Sequence, residues 1–183
     1  FGEIRRRIEQ VLPFRHIRWF VCLHQDPDVT SALPLIDAAR ERDDAVVLAH
    51  GRTCELLHHY GLALPLRAIE AHGWRLTLAG RVLEFVFTPY ARMAGSLCAF
   101  DHPSGVLFSG ELFGGLDAAN GLHARNAADL DGLTAYHQRY MPSGDALNHA
   151  LMQIERLRAR LIAPQQGRGA YAASATRGRQ GTW

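Results

Sequence analysis

The chain of 183 residues contains no lysine; all twenty of its basic residues are arginine, set against 18 acidic ones for a formal net charge of +2. Arg168, Arg177 and Arg179 lie in the acid-free stretch 167–183, so residues 1–166 carry −1 once those three charges are removed. Without a clustered basic face there is no electrostatic footprint for DNA or RNA, and nucleic acid is set aside as a partner. Long apolar runs are also missing: none approaches the roughly 20 residues that span a bilayer, and no secretory signal opens the chain, so no membrane role is expected. Cysteine is scarce. Cys22, Cys54 and Cys98 are odd in number, widely spaced and show no C-x-x-C, which excludes a disulfide framework or a zinc ribbon and fits a reducing, cytoplasmic setting. The glycine-rich stretch 110–115 lacks G-x-G-x-x-G and a P-loop lysine, and Ser96 and Ser109 lack the G-x-S-x-G elbow, so neither a nucleotide cradle nor a serine hydrolase is supported.

What is present is a chain with 48% hydrophobic and 21% charged residues, ordinary for a domain with a core. Ile4, Ile8, Val11 and Leu12 recur at helical spacing over 2–12 until Pro13 stops the pattern. The apolar run 17–23 reads as a strand buried on both faces. Helix, strand and helix are expected over 30–40, 45–49 and 52–60, the last ending at Gly61. Strands at 74–78, 81–88, 96–100 and 106–109, with turns at 79–80 and 102–105, make a β-meander. Helices follow at 127–140 and 145–160, the second capped by Ser143, then a short apolar segment at 161–163. The tail 167–183 is rich in small and polar residues and is expected to be disordered. No boundary is legible within 1–166.

Most of the ten histidines show no ligand spacing, among them His50, His72, His102, His123 and His149. His58 and His59 fall at a helix end, where the dipole or solvent satisfies them. His137 faces either a pocket or solvent. The segment Leu23-His24-Gln25-Asp26-Pro27-Asp28-Val29 is different: an imidazole and two carboxylates alternate just past a strand, where they can converge on iron, manganese or zinc. The alternative reading is a polar turn into a helix, with Asp28 or Thr30 as its cap.

Three further segments follow in order, each a strand end and a polar residue: Phe87-Thr88-Pro89-Tyr90-Ala91-Arg92, Phe108-Ser109-Gly110-Glu111-Leu112-Phe113-Gly114, and Ile162-Ala163-Pro164-Gln165-Gln166-Gly167. With the His24 segment, the series resembles the metallo-β-lactamase superfamily, and within it the di-iron branch of flavodiiron proteins and oxygen-binding di-iron sensor domains. The eighteen residues between Arg92 and Glu111 match that branch's separation between its third histidine and its bridging aspartate, and Tyr136-His137-Gln138-Arg139-Tyr140-Met141-Pro142-Ser143 is similar to a sensor-branch segment.

The resemblance implies an α/β fold, a metallo-β-lactamase-like αββα sandwich over residues 1–166. It also implies strands ahead of the helix at 2–12, so the domain is expected to be N-terminally truncated. It places metal ligands at His24, Asp26, Asp28 and Glu111, with Val29, Arg92 and Gln166 where the branch has histidines. Arginine stays protonated and has no acceptor, so it cannot ligate a cation. The expected cofactor is therefore one iron or none rather than two, with no flavin in this chain. Arg92 is instead expected to pair with Asp26 or Glu111 and hold a cluster of carboxylates together.

Two functions follow from the resemblance. One is a degenerate oxygen- or redox-sensor domain acting as a sensory or scaffold module, attached to a signalling output domain or to a second subunit that completes the sheet. The other is an active metal-dependent enzyme of the same fold, a hydrolase or an iron-dependent oxygen or nitric-oxide reductase.

Overall fold

The computed structural model describes residues 1–116, 123–124 and 131–171. The chain forms two compact units, Phe1–Gly73 and Trp74–Trp183, where the sequence shows no boundary.

In the first unit helix α1 (Gly2–Glu9) ends ahead of Pro13, and strand β1 (Trp19–Cys22) follows. The helix expected over 30–40 is two short ones, α2 (Pro27–Thr30) and α3 (Leu33–Ala39), each with a proline in its first turn, where the missing N–H costs nothing. Strand β2 (Val46–Ala49), helix α4 (Gly51–Leu57) and strand β3 (Leu66–Ala68) complete the order. A 3-10 turn, His58–Tyr60, extends α4 to Gly61, whose φ of 62° is the left-handed C-cap geometry expected there. The sheet is parallel in the order β1-β2-β3.

Double-sided burial falls on the central strand: all four residues of β2 are buried, whereas Trp19, Phe20 and Val21 of β1 are half-buried. The expectation of a fully covered 17–23 strand is corrected by that order, since β1 pairs with β2 alone among the described residues. Strand β3 went unread because Pro65-Leu66-Arg67-Ala68 shows neither alternation nor a β-branched residue. Cys22, Leu33, Val47, Ala49, Cys54, Leu57 and Leu64 form the core of this unit.

The second unit opens with the expected meander: β4 (Arg75–Leu78), β5 (Arg81–Phe87), β6 (Leu97–Asp101) and β7 (Val106–Gly110), all antiparallel neighbours. Ala79 and Gly80 both have positive φ, as a two-residue turn of the I′ kind requires. Helices α5 (Asp131–Tyr140) and α6 (Gly144–Glu155) lead to β8 (Leu161–Pro164), which pairs parallel to β7. The Ser143 side chain caps α6 by accepting from the Ala146 N–H at 3.3 Å. Leu147, Ala150 and Ile154 of α6 recur at helical spacing and pack with Val86, Cys98, Phe100, Leu107 and Ile162 of the sheet.

Residues 167–171 depart from the expected disordered tail. Ala170–Tyr171 form β9, antiparallel to β8, and Gly169 bridges His123. Residues 172–183, and 127–130 of the expected helix, lie outside the described residues.

Topology then sets where polar side chains gather. β5, β7 and β8 run the same way, because β5 and β7 are each antiparallel to β6 and β8 is parallel to β7. Their carboxyl ends, at 88–92, 111–114 and 165–166, therefore share one edge of the sheet, which is where open α/β sheets put their functional loops.

Candidate functional site

The polar residues of the first unit follow β1. His24 is buried at 1% exposure, Asp26 is half-buried, Asp28 is exposed and Val29 half-buried. The Asp26 N–H donates to Nδ1 of His24 at 3.1 Å, which leaves a neutral ring's proton on Nε2. Asp26 is the N-cap of α2, without a side-chain cap bond, so neither Asp28 nor Thr30 plays the expected capping part. Thr30 instead pins the turn: its Oγ1 lies 3.1 Å from the carbonyl oxygens of Gln25 and Asp26 and 3.0 Å from the Tyr60 hydroxyl.

At the end of β2, His50 has a structural role that its sequence position did not reveal. It caps α4, its Nδ1 accepting from the Arg52 N–H at 3.0 Å. Glu70 accepts from the Gly51 N–H at 2.9 Å and lies 3.3 Å from Nε2 of His50.

The second unit brings four residues together at its strand ends. Glu111 follows β7 with its side chain wholly buried. A buried carboxylate needs counter-charge and donors. Nη1 of Arg92 donates to Oε2 of Glu111 at 3.2 Å, and the Tyr136 hydroxyl donates to the same oxygen. The Arg92 guanidinium also stands 4.8 Å from the ring centroid of Tyr140, in cation–π range. Tyr136 and Tyr140 lie four apart on α5, so one helical face supplies both contacts. Of the two carboxylates expected to pair with Arg92, Glu111 is the one found with it in this unit.

The backbone around this cluster is unusual. Tyr90, Arg92 and Phe113 have φ of 59°, 80° and 64°, a left-handed region that non-glycine side chains enter at a cost and that clusters at functional sites. The loop that holds Arg92 closes on itself, with the Thr88 N–H donating to the Ser96 carbonyl at 3.0 Å and the Tyr90 N–H to that of Met93 at 2.9 Å. On α5, His137 accepts the Phe113 N–H on Nε2 at 2.9 Å; burial pushes its imidazole down to about 4, so it is neutral at ordinary pH. Gln166, half-buried after β8, accepts the Gly115 N–H on its backbone carbonyl at 3.3 Å.

Neither unit, among its described residues, gathers three or more histidine, cysteine, aspartate or glutamate side chains in an arrangement that would hold a metal ion. The sequence reading missed Tyr136 and Tyr140 as partners of the site residues, although their i, i+4 spacing on an expected helix was a usable signal.

This arrangement of strand ends has relatives. The family model for the ODP family beta lactamase matches residues 1–167. The chain therefore belongs to the ODP family of beta-lactamase-fold proteins.

Among solved structures, a peroxy diiron species of the chemotaxis sensor ODP superposes with a TM-score of 0.86 at 20% identity, over 97% of this chain and 75% of that one. Rubredoxin oxygen:oxidoreductase from the anaerobe Desulfovibrio gigas gives 0.87 at 21% identity, over 98% and 46%. A flavoprotein from Thermotoga maritima gives 0.83 at 17%, over 96% and 45%. The chain thus spans three quarters of the sensor's length and under half of the other two, and at these identities the likeness establishes the α/β fold. A comparison with curated proteins gives no match.

Proposed function

We propose that this chain is a sensory or scaffold module of the ODP type whose iron site is impaired, holding one ion or none. The observation that carries this reading is the Arg92–Glu111 pair. The position where the family resemblance implies a histidine holds a permanent cation, 3.2 Å from the acid in the bridging position. A metal brought to Glu111 would meet that cation, and the Tyr136 hydroxyl already donates to the same carboxylate oxygen.

The other substituted positions agree. Val29 has no donor atom, and Gln166 has an amide in place of an imidazole. His24 accepts the Asp26 N–H on Nδ1, so in the neutral ring the proton sits on Nε2, which cannot ligate while it carries that proton. The residues present do not fit a two-iron centre. His24, Asp26 and Asp28 in the first unit and Glu111 in the second are the residues that the family resemblance implies as ligands.

The ODP relative is a chemotaxis sensor, which supports a signalling role passed on to an output domain or a second subunit. Three free cysteines among the described residues suit the cytoplasm, and no helix described is long and apolar enough to cross a membrane.

The test is iron stoichiometry. After anaerobic loading with ferrous iron and desalting, we expect at most one iron per chain by elemental analysis, and no visible band on admitting oxygen. Two irons per chain would overturn the reading and favour an iron-dependent reductase or hydrolase of this fold.

A further inference from the structure

We infer that Arg92 is a built-in cation that does structurally what a bound metal would do for Glu111: it neutralises the buried carboxylate and ties the 88–96 loop, the end of β7 and helix α5 into one polar lock. The inference deepens the reading above and rests on it in taking the site's positive charge to come from the chain itself.

Three features of the second unit support the lock. The Glu111 side chain is inaccessible to solvent, so its charge is tolerable only beside a fixed counter-charge, and the Arg92 guanidinium is in hydrogen-bond range with 17% of its side chain exposed. Arg92 is also held in place. Its own φ of 80° and that of Tyr90 at 59° are conformations a loop adopts only when its surroundings over-determine them. The Tyr140 ring lies against the guanidinium, so the cation is oriented by an aromatic face as well as by the carboxylate.

The third feature is the fit of Tyr136 against the turn after Glu111. A Cβ on Gly114 would meet Cε1 of the Tyr136 ring at 2.6 Å, so the glycine is what lets the ring come close enough for its hydroxyl to reach Glu111. Tyr136 is wholly buried, and the neighbouring His137 accepts the Phe113 N–H from the same turn. Three side chains of one helix thus meet the two strand-end segments that bear Arg92 and Glu111.

A double-mutant cycle on thermal unfolding tests the lock, with the full chain in chelator throughout. Arg92→Gln leaves Glu111 buried beside a neutral amide and should lower the midpoint by about 5 °C or more for a chain of this size. Arg92→Lys keeps the charge but loses the planar fork and should fall between Gln and wild type. In the double variant Arg92→Gln with Glu111→Gln, the buried charge is gone with its partner, and the loss should be well below the sum of the single losses.

Additive losses would overturn the inference, as would Arg92→Gln being as stable as wild type. If Arg92→Gln alone does not fold, recovery of folding by adding Glu111→Gln supports the lock, and its failure to recover counts against it. The iron count of the wild-type chain decides the functional reading separately, since the cycle is run without metal.

Discussion

The backbone N–H of Phe113 donates to Nε2 of His137 at 2.9 Å, so this buried imidazole serves the turn after Glu111 as an acceptor. It can do so only while neutral, and its burial keeps it neutral.

That relationship sets a pH dependence. The folded-state value of about 4 lies below histidine's ordinary value of 6.5, so between these limits the unfolded chain binds the proton that the folded chain refuses. The contribution is complete above about pH 6.5 and is lost as pH falls towards 4, amounting to about 3 kcal/mol at most. Asp101, whose carboxyl is held below its ordinary value by Ser104 and Arg81 against some burial, loses its contribution at still lower pH. Urea unfolding at pH 7 and pH 5 should show wild type losing more stability than His137→Gln, whose side-chain oxygen can still accept from Phe113. Equal losses in the two proteins would refute the assignment.

Gly105 closes the turn between β6 and β7 at a φ of 67°, and a Cβ there would meet Nε of Arg160 at 2.6 Å. Arg160 in turn donates to the carbonyl oxygen of Ser104, and its own N–H to that of Gly105 at 2.8 Å. Gly105→Ala therefore combines left-handed strain with a displaced arginine and should cost about 2 kcal/mol or more. Gly61→Ala, at a similar φ of 62° but with open space around it, should cost about 1 kcal/mol. Chemical denaturation of the two variants side by side checks the ranking, which would fail if Gly61→Ala were the worse.

The three thiols should be inert in the folded chain. Burial pushes Cys22 and Cys98 up to about 12 and Cys54 up to about 11, with the Glu70 charge adding to the last. Thiolate is the reactive form, so a disulfide reagent at pH 8 should titrate no thiol rapidly in native protein and three per chain in denaturant. Rapid labelling of any one in native protein would refute its inertness and show that its unit opens locally.

The meander shows why much of the fold was legible in the sequence. Turn residues at 79–80 and 102–105 punctuate apolar strands, and the local chemistry of Gly80 and Gly105 requires those turns whatever packs around them. The Pro34 start of α3 was equally local, yet 30–40 was read as one helix because apolar spacing continued across the break at Ser31 and Ala32. Burial of β1 was overestimated for a different reason: an apolar run shows that a strand can be covered, and sheet order decides whether it is.

For the site, sequence alone determined the residue types: His24, Asp26, Asp28 and Glu111 in family order, and Arg92, Gln166 and Val29 where ligands are expected. It also determined that Arg92 carries a charge at any ordinary pH, since that is a property of the guanidinium. Tertiary structure decided which carboxylate in the second unit meets that charge, that Glu111 is buried while Asp28 is exposed, and that Tyr136, His137 and Tyr140 serve the same corner. Those are matters of distance and solvent exclusion between residues far apart in the chain. In the second unit they are fixed by three like-directed strands ending on one edge beside a single helical face, which no local pattern encodes.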